Sequence, residues 1–140
     1  MALSAGKLEV GQTFSAVVVE DLNRTQIVQY AGASGDYNPL HTDEVFATQA
    51  AGYPSVFAHG MLTMGMTGRM VTDLVGDGRL TDFGGRFTSQ VYPGDDLTTT
   101  ARVDAIIDID GDPAVELSLS TVNQDGTQVF SGHATARLDP

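Results

Sequence analysis

Gly60-Met-Leu-Thr-Met-Gly65-Met-Thr-Gly68-Arg-Met70-Val-Thr72-Asp-Leu-Val75 is the stretch on which the fold turns. Met61, Leu62, Met64, Met66, Met70, Val71, Leu74 and Val75 put apolar groups on nearly every face of a helix, and a helix apolar all round belongs in a core. Gly65, Gly68 and Thr72 fall near one side, where another backbone can approach, although each glycine costs about 1 kcal/mol relative to alanine. Gly76-Asp-Gly78 reads as the stop signal. Four strands are expected downstream: Arg79–Val91, Leu97–Ile109, Ala114–Val122 and Thr127–Leu138. The turns between them are Tyr92-Pro-Gly-Asp95, Asp110-Gly-Asp-Pro113 and Asn123-Gln-Asp-Gly126. Three consecutive hairpin-linked strands after a buried helix predict an α+β fold, a strongly curved antiparallel sheet wrapped on that helix.

Upstream, Phe14 to Val19 is apolar and β-branched, a first strand. Asn23 or Thr25 caps a short helix running to Ala31, and Gly32 and Gly35 open a loop. Thr42 or Asp43 caps a second short helix through Ala50, closed by Gly52 and Pro54. With no repeat, linker or low-complexity tract, residues 1–140 are expected to form one domain.

A chain of 140 residues can bury roughly 68–70% of its unfolded surface. A hydrophobic fraction of 41% and a charged fraction of 18% fit an ordinary globule. Asp+Glu 18 against Lys+Arg 7 leaves a net charge of -11, which argues against nucleic-acid or anionic-membrane partners. A phosphorylated ligand would therefore need a local basic patch. Cysteine is absent, which excludes disulfides, a thiol nucleophile and cysteine metal sites. Residues 1–20 do not read as a signal peptide and no run approaches a membrane span, so a cytoplasmic location is expected.

The chemistry-bearing residues begin with Tyr30-Ala-Gly-Ala-Ser-Gly-Asp36-Tyr-Asn38-Pro39-Leu-His41. Pro39 fixes its own φ and pushes Asn38 out of the helical region, so Asp36 and His41 sit on one stiffened loop suited to holding a water molecule. Spacing alone favours plain turn chemistry, for Asp-x-Asn-Pro is a strong turn signal. His59-Gly60 opens the long helix, where unpaired N–H groups carry positive partial charge. The Gly60 N–H can polarise a carbonyl oxygen, or the glycine can merely permit a tight turn. His59 is expected to pack or bond locally, and His133 to face water from the last strand. His41-Thr-Asp43 with His133 and Arg137 also follows the His-x-Asp…His…Arg order of non-haem iron oxygenases, in which two histidines and a carboxylate hold the metal. A proline turn before His41 is the wrong setting for that pair. Asp108, Asp110 and Asp112 alternate as in a calcium loop, but Pro113 and Leu119 stand where glycine and glutamate are needed. Neither a phosphate loop nor a Gly-x-Ser-x-Gly elbow occurs.

The Tyr30–His41 block resembles the signature of the MaoC-like (R)-specific hydratase/dehydratase family, which has the hotdog fold. Ala58-His-Gly-Met-Leu-Thr-Met-Gly65 is similar to its second block, and within the family the B-type (3R)-hydroxyacyl-ACP dehydratase subunits of mycobacteria look nearest. Leu8-Glu-Val-Gly-Gln12, Arg86-Phe87 and Pro93-Gly-Asp95 also stand in family order. The resemblance implies that Asp36 and His41 hold the catalytic water and that the Gly60 N–H binds the thioester oxygen. It places Asn38 on the substrate side as a loop-supporting residue and makes Arg86 the first candidate for contact with a phosphorylated carrier. A serine found near the pair in some short-chain relatives falls at Gly68, which departs from the pattern.

On this resemblance the expected activity is reversible hydration of trans-2-enoyl thioesters to (3R)-3-hydroxyacyl thioesters. The substrate would ride on CoA or ACP, without metal or redox cofactor. A homodimer is expected, or a heterodimer with a different, inactive partner. The alternative from another class is a non-catalytic acyl-thioester-binding or partner subunit, and a thioesterase comes third.

Overall fold

The computed structural model describes residues 3–140. Five strands, β1 (Thr13–Val19), β2 (Leu80–Phe87), β3 (Leu97–Ile109), β4 (Asp112–Val122) and β5 (Gln128–Arg137), form one antiparallel sheet. The two longer helices are α1 (Arg24–Ser34) and α2 (Gly60–Val75). Strand order is β1-β3-β4-β5-β2, so β2 follows α2 in the chain but lies at the edge farthest from β1. Because α2 touches both edge strands as well as β3 and β5, the sheet must curl around it. This is the hotdog arrangement expected from the sequence.

Turn chemistry holds the meander in register. Asp110 and Gly111 both take positive φ (54 and 92), the two-residue turn whose twist matches its flanking strands. The Asn123 side chain accepts from Asp125 N and Thr127 N, each at 3.0 Å, and closes the next hairpin. Asp108 Oδ1 accepts from Gly111 N at 2.9 Å, so the alternating aspartates serve a hairpin rather than a calcium loop.

The sheet grips α2 by two devices. Thr67 Oγ1 lies 2.7 Å from Thr121 Oγ1, which lies 2.7 Å from Thr99 Oγ1, and all three residues are fully buried. Three hydroxyls that satisfy one another thereby pin the helix to β3 and β4. On the β2 side, a Cβ on Gly60 would meet the Phe87 ring at 2.9 Å, and one on Gly68 would meet the Phe83 ring at 3.0 Å. The two glycines are about 12 Å apart along the helix and the two phenylalanines about 13 Å apart along the strand. Two rings therefore drop into two notches at matching spacing. Gly85 and Gly132 pair across β2 and β5 with the buried Phe130 ring beside them, and a Cβ on either would strike backbone or that ring within 2.7 Å.

Several expectations needed correction. α2 is not buried all round: Thr63, Thr67, Met70, Val71 and Val75 face the sheet, while Met61, Gly65, Arg69 and Asp73 form an exposed strip. One sheet covers only one side of a helix. Gly65 has nothing within 4 Å of its missing Cβ, so only Gly68 of the expected trio receives a neighbouring side chain as a notch. The strand expected over Arg79–Val91 ends at Phe87; Thr88 still bonds Val129 O and Gln128 O, and beyond it the chain runs past the start of α2, where Val91 O accepts from Ala58 N at 2.7 Å. α1 continues past Ala31 to Ser34 before Gly35 caps it at φ 76. The helix expected through Ala50 is a π-helical turn over Phe46–Ala50, begun by Asp43 Oδ1 accepting from Phe46 N. No described helix is long and apolar enough to cross a membrane.

Candidate active site

The loop between α1 and the π turn is built from side chains that bond backbone two residues ahead. Ser34 Oγ accepts from Asp36 N (3.2 Å), Asp36 Oδ1 from Asn38 N (3.2 Å) and Asn38 Oδ1 from Leu40 N (3.0 Å). This ladder is what Ser-x-Asp-x-Asn-Pro chemistry is good at. It ends in a single 3-10 turn over Pro39–His41, with Asn38 as its cap and proline at its first position. The Asn38 side chain thus bonds within the loop, to Leu40 N.

Segment 57–59 is stitched to that loop. Phe57 N donates to Leu40 O (3.3 Å), His41 Nδ1 donates to Phe57 O (2.7 Å) and His59 Nε2 donates to Asp36 O (3.0 Å). Carbonyl oxygens only accept, so both protons are assigned by geometry. His41 is left with a bare Nε2 lone pair. Its ring is buried, stacks on His59 at 3.8 Å and 24°, and meets the Phe57 ring edge at 5.3 Å.

Burial holds the His41 pKa below the ordinary histidine value, and the neighbouring His59 pushes the same way. The Phe57 carbonyl and the Asp36 charge oppose this without reversing it. His41 is therefore a neutral acceptor at pH 7. One Asp36 carboxylate oxygen and one ring nitrogen each of His41 and His59 lie within 4.8 Å of one another. No direct bond joins the Asp36 and His41 side chains, and a water making two bonds of about 2.8 Å spans such a gap.

The three side chains suit a metal poorly. An imidazole binds a cation in its ring plane at about 2.0–2.1 Å. Two rings stacked nearly parallel at 3.8 Å aim their lone pairs along separate planes instead of at one point. The iron-type order does not assemble either. Asp43 is occupied at the π turn, and His133 pairs with Asp82 on the exposed face of β5 and β2 at 3.0 Å.

His59 is also the N-cap of α2, and no side chain caps that end. Leu62 N and Thr63 N turn back to His59 O, which leaves the Gly60 N–H free of helix bonds. Gly60 does not occupy positive φ, so a tight turn is not why glycine stands there; the Phe87 ring is. A cavity of about 270 Å³ opens beside Gly60, walled by Phe57, Thr63, Phe87, Val91 and Val129. Arg86, next to Phe87 on β2, alternates onto the opposite sheet face. It is exposed and pairs with no carboxylate among the described residues.

Sequence reasoning missed His59 and Phe87. His59 was expected to act locally, yet it reaches a loop far upstream; its place immediately before the free helix N-terminus was the available clue. Phe87 could have been found from the matching intervals of Phe83/Phe87 and Gly60/Gly68. Gly68, the position at which the resemblance implied a departure, backs onto Phe83 about 12 Å along the helix from Gly60.

Comparison with known proteins adds a family context. The family described as MaoC like domain matches residues 6–124. The (R)-specific enoyl-CoA hydratase of Aeromonas caviae is 30% identical over 140 residues, covering 97% of this chain and 99% of that protein. The 3-hydroxyacyl-thioester dehydratase Y of Mycobacterium tuberculosis is 46% identical over 69 residues, 47% of this chain and 24% of that protein. This chain spans a quarter or less of the first curated relatives it matches. Among solved structures, R-hydratase PhaJ1 of Pseudomonas aeruginosa superposes with a TM-score of 0.85 at 27% identity, over 99% of this chain and 88% of that one. The (R)-hydratase of A. caviae gives 0.82 at 27%, over 96% and 99%.

Proposed function

Because this chain belongs to the MaoC-like domain family, we propose that it hydrates trans-2-enoyl thioesters to (3R)-3-hydroxyacyl thioesters, reversibly. The observation that carries the proposal is the approach of the Asp36 carboxylate and the His41 ring to within 4.8 Å, beside the uncapped start of α2. The likeness to an (R)-specific enoyl-CoA hydratase over nearly the whole length of both chains supports it.

In this mechanism Asp36 and His41 hold one water between them. Neutral His41 takes a water proton on Nε2 as the oxygen attacks C3 of the enoyl thioester. Electron density moves to the thioester oxygen, where the Gly60 N–H and the positive end of the α2 dipole stabilise the enolate. The imidazolium then returns the proton to C2 on the same face, which restores neutral His41 and balances the step. Asp36 orients the water and stabilises the transient imidazolium. General acid–base help of this kind is worth about 10²–10⁴-fold, and one oxyanion donor about 10²–10³-fold. The reverse sequence dehydrates.

The carrier is CoA or ACP, with Arg86 as a candidate phosphate contact, in a cytoplasmic setting. Two chains pair, as a homodimer or with a different partner. The free edge of β2, the half-exposed Phe87 and the exposed Met61 strip supply the surface for it. The test is purified protein alone with crotonyl-CoA, following loss of enoyl-thioester absorbance and the configuration of the product. Formation of (3R)-hydroxybutyryl-CoA is expected. Unchanged absorbance would favour a non-catalytic thioester-binding subunit, and release of free thiol a thioesterase.

A further inference from the structure

We infer that His59 is a positioning residue, a strut that holds the acid–base loop in register with the amide at the start of α2. The inference rests on the hydratase reading of the site. Of the three bonds between segment 57–59 and the loop, only that from His59 Nε2 reaches Asp36 itself. The remaining supports of Asp36, from Ser34 and to Asn38, are longer and lie in exposed backbone. The adjoining residue in the chain is Gly60. One imidazole therefore ties the carboxylate that orients water to the N–H that receives the thioester oxygen.

The ring is committed to that task. His59 is 2% exposed, and its face lies against His41 while Tyr30 stands edge-on at 4.9 Å. Asp36, His41 and Tyr30 are the titratable groups that face it. Because the Asp36 carbonyl fixes the proton on Nε2, Nδ1 is a bare acceptor, and it is buried without a protein partner among the described residues. The two nitrogens are therefore unequal, and among protein groups it is Nε2, on the Asp36 carbonyl, that fixes the ring. A position needed only for packing would be better filled by phenylalanine. The stack has a second effect: with one face on His59, an edge on Phe57 and Nδ1 on the Phe57 carbonyl, His41 has only Nε2 left to offer.

Two substitutions separate the bond from the packing. His59→Phe keeps a ring of similar bulk and loses the donor, whereas His59→Gln keeps an N–H donor at similar reach and loses the ring. His59→Phe should lower kcat by about 10- to 100-fold, the loss expected from a misplacement of about 1 Å, with KM nearly unchanged. His59→Gln should regain most of that loss. Phe at wild-type kcat, or Gln as impaired as Phe, would overturn the strut. Nitrogen NMR of the imidazoles in the wild-type protein tests it without any variant. His59 should carry its proton on Nε2 and His41 on Nδ1, and the opposite tautomer at His59 would refute the bond. Wild-type protein that shows these tautomers but hydrates nothing would sink the functional reading while the strut itself stood.

Discussion

His41 shows how a short loop gives a side chain one protonation state and one direction. Its Nδ1 proton is engaged by the Phe57 carbonyl, and burial keeps the ring from charging. Because its pKa is lowered, kcat/KM should stay flat through neutrality and fall only below the ordinary histidine value of about 6.5. An acidic limb centred above that value would contradict the assignment. The linkage has the same sign for stability: the unfolded chain binds the proton first, so stability is full above the unfolded pKa and is lost as pH falls towards the folded one. Gly60 is the other decisive position. Gly60→Ala drives a methyl group into the Phe87 ring and should cost about 1–3 kcal/mol, as overpacking does. Adding Phe87→Ala should return much of it, so the two changes should be strongly non-additive in urea titrations. Additive effects would mean that glycine is there for another reason. The Asp36–His41 loop was readable in the sequence because its chemistry is local, each side chain bonding two residues ahead. His59 was not, because its partner lies on a distant segment that only the folded chain brings near.

The elements were legible in proportion to how locally they are specified. β3, β4 and β5 announce themselves through alternation and through turns at Asp110-Gly111 and Asn123–Gly126. α1 does so through its cap, for which the sequence offers Asn23 or Thr25; the structure uses Asn23, in a capping box with Gln26. The end of β2 was misread because residues 89–91 keep strand-like composition while tertiary pairing with segment 58 draws them out of the sheet. The exposed strip of α2 was hidden because composition tells which residues are apolar, and not which side a single sheet will cover. The threonine chain was invisible for a similar reason: Thr67, Thr99 and Thr121 look like ordinary helix and strand residues until the sheet closes on the helix. It makes a graded prediction. Thr121→Val strips a partner from two buried hydroxyls, whereas Thr67→Val leaves Thr121 and Thr99 still bonded. At about 1–3 kcal/mol per unmatched buried group, Thr121→Val leaves two such groups and Thr67→Val none, so Thr121→Val should lower the urea midpoint at least twice as far as Thr67→Val. Equal losses would mean that water or backbone satisfies the hydroxyls.

The whole molecule carries -11 charges, yet the proposed substrate hangs from a polyanionic carrier. Arg24, Arg79 and Arg102 are tied to Glu44, Asp139 and Asp104, whereas Arg86 has no carboxylate partner among the described residues. Arg86→Ala should raise KM for an acyl-CoA several-fold while kcat stays near wild type; an unchanged KM would remove Arg86 from the carrier site. Because Arg86 alternates onto the sheet face opposite Phe87 and Gly60, such an effect would also fit a site completed by a second subunit. On the proposed mechanism, the sheet curled on α2 and the stitched loop would serve to present one water beside one amide. That arrangement is tested most directly by kcat/KM for crotonyl-CoA hydration in the wild-type protein, Asp36→Asn and His41→Ala, each shown to be folded by circular dichroism. Losses of at least about 10²–10⁴-fold in both variants are expected, and a rate within a few-fold of wild type in either would contradict a shared-water mechanism.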